Sequence, residues 1–154
     1  MAEHNLTASM VVSFSERLED ESASYYAALA ERFPEHSTVF SEAAHECAKH
    51  KVWIIRTYRE TISDALEACF CFQGLDLRHY GGAEASRDPT ELQPAIRTAI
   101  AWEKRAIAFY RDAAQRSDAL LATIPGAFRR VAKKRSARKG RWEELLAEME
   151  QTSL

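Results

Sequence analysis

Arg135 and Arg138 stand three residues apart in a segment whose other stripe positions are Ile124, Phe128, Val131, Trp142, Leu145 and Met149. At helical spacing such a stripe faces a core, so two guanidinium groups sit where apolar side chains belong. A bare cation out of water costs several kcal/mol even after relaxation, and arginine is almost never fully buried without a partner. The chemistry these residues call for is pairing, because a planar fork of N–H donors matches carboxylates on facing elements. Two acids lie in matching places. Glu19 is in the middle of the face Val12, Ser15, Glu19, Ser22, Tyr26, Leu29 and Phe33, and Glu103 in the middle of Leu92, Ile96, Ala99, Glu103, Ala106, Tyr110 and Ala113. A fourth face, Phe40, Ala43, Cys47, His50, Ile54 and Thr57, brings Cys47 and His50 inward. An inward histidine by itself is more often a hydrogen-bonded core residue than a ligand.

These faces require four amphipathic helices, over about residues 6–33, 38–70, 91–117 and 122–150. Pro34 ends the first and Ser37 is placed to cap the second. Residues 73–86, with Gly74, Gly81 and Gly82, form the one long irregular stretch, enough to cross the end of a bundle. Asp88-Pro89-Thr90-Glu91 has the chemistry of a helix start, although Pro94 places the regular helix near itself. Pro125 belongs in the first turn of the last helix. Short links after the first and third helices and a long one after the second predict an all-α, antiparallel four-helix bundle, one domain spanning residues 1–154. The halves echo each other. A shift of 84 places Glu19 on Glu103, Tyr26 on Tyr110, Ala30 on Ala114 and Arg32 on Arg116, and a shift of 88 places Phe40 on Phe128, Ala44 on Ala132 and Lys51 on Lys139. The expected architecture is a duplicated helical hairpin.

Here the sequence resembles a family. Leu18-Glu19-Asp20-Glu21-Ser22-Ala23-Ser24-Tyr25-Tyr26 and Trp102-Glu103-Lys104-Arg105-Ala106-Ile107-Ala108-Phe109-Tyr110 are similar to the repeated Glu-to-Tyr helix of the rubrerythrin-type branch of the ferritin-like superfamily, and Phe40 to His50 resembles its second helix. The likeness runs through both repeats. It implies a ferritin-like fold and a pair of irons held by one Glu from each of two helices and a Glu-x-x-His from each of the others. On that resemblance Glu19, His50 and Glu103 occupy metal-ligand positions.

The departures carry the functional reading. Cys47 stands where the family's Glu precedes His50 by three, and Arg135 and Arg138 stand where the fourth helix would carry Glu-x-x-His. The neighbouring Glu42-x-x-His45 has the spacing but lies half a turn off the stripe. Hard divalent cations are held largely by charge neutralisation, and this core offers two inward carboxylates and two fixed cations. Like charges at ~4 Å repel by about 4 kcal/mol at an effective dielectric of 20. The expectation is therefore a core ion-pair cluster of Glu19, Glu103, Arg135 and Arg138 in place of the metals, with no cofactor. Small side chains at Ser15, Ser22, Ala99 and Ala106 leave room for it.

Composition bounds the rest. With 46% apolar and 29% charged residues the chain has the makings of a globular core. No apolar run approaches a membrane span, and the first ten residues carry Glu3 and no Lys or Arg, which points to a cytoplasmic protein. Three cysteines, Cys47, Cys69 and Cys71, form no Cys-x-x-Cys pair and fit a reducing compartment. Cys69 and Cys71 read as small hydrophobes near a helix end, with a redox pair or metal clip as the other reading. The net charge of −2 hides eight basic residues in the thirteen from Arg129 to Arg141.

Three functions compete. A residual site at Glu19, His50 and Glu103 would bind iron or another divalent metal and oxidise iron or reduce peroxide, as the family does. The outward residues Arg129, Arg130, Lys133, Lys134, Lys139 and Arg141 would form a strip for nucleic acid, a phosphorylated ligand or an anionic surface, the plainer reading being a solvated helix face. A homodimeric scaffold would bury the surplus apolar residues Trp53, Ile55, Tyr58, Ile62, Phe70 and Phe72. The expected function is a non-catalytic binding or scaffold protein.

Overall fold

The computed structural model describes residues 6–61, 71–72, 75–80, 90–117 and 123–152. Within them the protein is an all-α four-helix bundle: α1 (Ala8–Arg32), α2 (Ser37–Thr61), α3 (Leu92–Ser117) and α4 (Thr123–Thr152). The predicted faces become the buried ones except toward the helix ends, where Phe33, Thr57, Leu92, Leu145 and Met149 are half-buried. Val12, Ser15, Glu19, Ser22, Tyr26 and Leu29 are buried on α1; Phe40, Ala43, Cys47, His50 and Ile54 on α2; Ile96, Ala99, Glu103, Ala106, Tyr110 and Ala113 on α3; and Ile124, Phe128, Val131, Arg135, Arg138 and Trp142 on α4.

The helix ends differ from the sequence expectation in instructive places. Leu6 and Thr7 are not the first turn of α1. They pair antiparallel with Cys71 and Phe72 as two short strands, β1 (Leu6–Thr7) and β2 (Cys71–Phe72). Thr7 is instead the N-cap, its hydroxyl accepting from Met10 N at 3.2 Å, which satisfies a helical N–H that has no intrahelical partner. At the other end Phe33 lies just outside α1 and its N–H bonds back to Leu29 O at 2.9 Å. Pro34–His36 then form a 3-10 turn, so Ser37 enters α2 as its first residue rather than capping it from outside. Of the expected second helix, residues 62–70 lie outside the described residues, as do Asp88 and Pro89 of the Asp88-Pro89-Thr90-Glu91 start. Helix α3 begins at Leu92, before Pro94, which is tolerated in a first turn because its missing N–H would have had no acceptor there.

Part of the crossover between α2 and α3 is tied to the bundle. Leu75 is buried, Asp76 caps a 3-10 turn (Leu77–His79) by accepting from Arg78 N at 3.0 Å, and the Tyr80 hydroxyl donates to Asp112 Oδ2 at 2.5 Å. Two apolar clusters flank the centre of the bundle. One, around Phe109, Tyr110, Phe128 and Val131, also covers Trp53, Ile55 and Tyr58, and the other surrounds Tyr26, Phe40, Ile96 and Trp142. Between them lies a layer of polar and charged side chains.

Candidate functional site: a buried carboxylate–guanidinium layer

Glu19, Glu103, Arg135 and Arg138 each have 0% of their surface exposed, and all four meet. Arg135 is the hub. Its Nε and Nη2 donate to Glu19 Oε2 at 3.0 and 2.8 Å, its Nη1 donates to Glu103 Oε1 at 2.6 Å, and Nη2 also reaches Ser22 Oγ at 3.0 Å. Every N–H-bearing atom of its fork is engaged. Arg138 spans outward from the same layer: Nη1 donates to Glu103 Oε2 at 3.1 Å and toward Cys47 Sγ at 3.4 Å, and Nη2 to Glu46 Oε1 at 2.6 Å. Its guanidinium carbon lies 5.6 Å from the centre of the Tyr26 ring, within the range of cation–π attraction.

The two tyrosines complete the layer crosswise. Tyr110 on α3 donates its hydroxyl to Glu19 on α1 at 2.6 Å and meets Ser15 Oγ at 2.8 Å. Tyr26 on α1 donates to Glu103 on α3 and accepts from Trp142 Nε1 at 3.0 Å. Sequence reasoning placed both tyrosines near the acids without giving them this role. It missed Glu46 and Trp142 as partners altogether. Glu46 was recoverable, since it lies four residues before His50 and three after the inward Ala43, on the flank of the buried stripe.

His50 is buried beside the cluster but less tightly held. Its Nδ1 lies 3.6 Å from Glu19 Oε1 and its Nε2 3.9 Å from Glu46 Oε1. Both separations are too long for hydrogen bonds. Glu19 Oε1, His50 Nδ1 and Arg138 Nε are buried without a hydrogen-bond partner.

The electrostatics follow from the geometry. Burial alone would push the Glu19 carboxyl up, yet the Arg135 charge, with His50 and the Tyr110 hydroxyl, holds it at about 2, below its ordinary 4.5. Burial and the neighbouring carboxylates drive the Tyr26 and Tyr110 hydroxyls well above their usual range, so both remain donors. Burial would lower the two arginines, but the carboxylates outweigh it and hold both above their ordinary value. Cys47 is pushed up to about 12 by burial, against the lowering effect of both arginines, and is therefore a thiol rather than a thiolate nucleophile.

The residues present do not fit a pair of irons. Three of the four oxygens of Glu19 and Glu103 already accept charge-assisted bonds from Arg135 or Arg138, and a dication placed among them would meet two guanidiniums. Cys47 adds a neutral thiol. Glu42 and His45 are exposed, off the buried stripe. Among the described residues no three His, Cys, Asp or Glu side chains are grouped to hold a metal ion.

The basic strip does not behave as one unit. Arg129, Arg130, Lys133, Lys134 and Arg141 are exposed and Lys139 is half-buried. Lys139 is tied to Glu143 at 3.3 Å, and the Arg130 guanidinium lies 4.1 Å over the Trp53 ring. Trp53, Ile55 and Tyr58, expected at a dimer interface, already pack partly buried against this chain's own core. Ile62, Phe70 and Cys69 lie outside the described residues, and Cys71 and Phe72 are described only as strand backbone. No described helix is long and apolar enough to cross a membrane. The four-helix, all-α architecture is compatible with a ferritin-like fold, but no family model, curated protein or solved structure matches this chain.

Proposed function

We propose that this chain is a rubrerythrin-like member of the ferritin-like superfamily in which an internal ion-pair cluster replaces the di-iron centre, and that it works as a non-catalytic binding or scaffold protein, cytoplasmic and homodimeric. The single observation that carries this is Arg135, fully buried and bonded at once to Glu19 and Glu103. The proposal includes an antiparallel bundle of two duplicated hairpins. It is supported by the crossed tyrosines: the shift of 84 that carries Glu19 to Glu103 and Tyr26 to Tyr110 also converts the bond Tyr26–Glu103 into its mirror, Tyr110–Glu19. Val11 and Leu18 of α1 share one apolar cluster with Ile54 of α2, and Leu29 shares the other with Phe40, which supports the antiparallel sense within the first hairpin.

The layer's chemistry is that of a solid ion-pair core. Four opposite charges neutralise one another, two tyrosines donate to the carboxylates, and no buried nucleophile is activated. A second reading rests on the unpartnered Glu19 Oε1 and His50 Nδ1: a residual single-metal site at Glu19, His50 and Glu103 supporting iron oxidation or peroxide reduction. Elemental analysis of protein purified without chelator, followed by ferrous iron oxidation in air, separates the two. Less than about one metal per ten chains and oxidation no faster than buffer is the expected result. Stoichiometric iron lost in Glu19→Gln and His50→Gln variants would overturn the first reading in favour of the second.

A further inference from the structure

The outer side of α4 carries a second feature, independent of its buried arginines. Arg129, Ala132, Lys133 and Ser136 follow one another at helical spacing and face Arg111 and Gln115 on α3 across an open groove of about 450 Å³. Its lining holds three cations, an amide and a hydroxyl, and no carboxylate. Arg111 and Lys133 are exposed and form no ion pair among the described residues. Folding thus brings like charges from two helices to one cleft. Arg129 and Lys133, four residues apart, add a repulsion that disfavours the helix by a few tenths of a kcal/mol. Nothing in the groove's packing requires this arrangement, since its only buried lining residue is Ala132.

We propose that this groove binds a small phosphorylated molecule through its phosphate groups. Arg111 and Lys133 approach the phosphate oxygens from opposite helices, as a guanidinium fork and a point charge respectively, while Gln115 and Ser136 supply neutral donors. The groove's volume lies within the range of small-molecule sites. A nucleic-acid backbone is the weaker fit because the basic run does not continue as an exposed line. Beyond Lys134 the chain turns Arg135 and Arg138 inward, and Lys139 is paired with Glu143.

The test is calorimetric titration of the full chain with inorganic pyrophosphate at low and raised salt, alongside a single-stranded oligonucleotide and vesicles containing anionic lipid. The expected result is saturable pyrophosphate binding that weakens with salt. It should fall at least about tenfold in the double variant Arg111→Gln/Lys133→Gln and stay unchanged in Lys104→Gln, an exposed lysine two turns before Arg111 on α3 and outside the groove's lining. The unfolding midpoint of the double variant, unchanged from the parent, verifies that its fold is retained. Absence of saturable binding, binding indifferent to salt, or equal loss in Lys104→Gln would overturn the proposal. So would tighter binding, by more than about tenfold, of the oligonucleotide or the vesicles.

Discussion

Replacing Arg135 by methionine keeps most of the side-chain volume and removes the charge. Four donated bonds go with it: two to Glu19, one to Glu103 and one to Ser22. Glu19 Oε1 already lacks a partner, so Glu19 would be left with the Tyr110 hydroxyl as its one hydrogen bond. Breaking a buried pair by removing one partner costs about 3–5 kcal/mol. The Glu19 titration gives an independent magnitude. A shift from 4.5 to about 2 corresponds to roughly 3 kcal/mol of preference for the charged form. Because the folded value lies below the unfolded one, this stability is present above pH 4.5 and is lost as pH falls toward about 2. In Arg135→Met the main lowering influence is gone and burial pushes the carboxyl up instead. Glu19's contribution then changes sign, and the variant recovers stability as acid neutralises the carboxylate. Urea unfolding across this pH range measures both quantities. A loss of about 3–5 kcal/mol at neutral pH with a reversed slope below it is expected. A variant within about 1 kcal/mol of the parent, with the parent's slope, would refute the assignment of Arg135 as the hub.

Other perturbations probe the same layer more gently. Tyr26→Phe removes the donor to Glu103 and the acceptor of the Trp142 indole N–H together; a loss of about 1–3 kcal/mol with altered tryptophan fluorescence is expected, and an unchanged midpoint would count against the crossed hydrogen bonds. Cys47, buried and held as a thiol with its titration near 12, should resist alkylation in the native protein at mildly alkaline pH and react on unfolding, as peptide mapping of Cys47 would reveal. Replacing Glu19, Glu103, Arg135 and Arg138 together by Leu, Leu, Met and Met should cost less than Arg135→Met alone, since it leaves no fully buried carboxylate or guanidinium unpaired and Glu46, which loses Arg138, is only half-buried; greater destabilisation would mean the cluster contributes beyond neutralising itself. Asp20→Asn, which breaks the exposed pair with Lys51, should leave the urea midpoint where it was.

Much of the bundle could be read from the residues because helical periodicity is a local property. The faces through Glu19, His50, Glu103 and Arg135 are fixed by steps of three and four, and the middle of each is buried where that spacing places it. The helix ends were less legible. Whether Leu6 and Thr7 extend α1 or pair with Cys71 and Phe72 depends on where the crossover returns, a contact between residues far apart in sequence.

The sequence by itself determined that two guanidiniums and two carboxylates must share one interior, because charge on a buried face admits few partners and this chain holds few inward acids. Only the tertiary structure decided how they are apportioned: Arg135 between both acids, Arg138 leaning out to Glu46, and each tyrosine bonded to the acid of the opposite half. Those choices depend on the offsets and separations of four packed helices. Periodicity names the face on which a side chain lies, whereas the choice among oxygens a few ångströms apart is set by how far and in which direction each neighbouring helix brings its own.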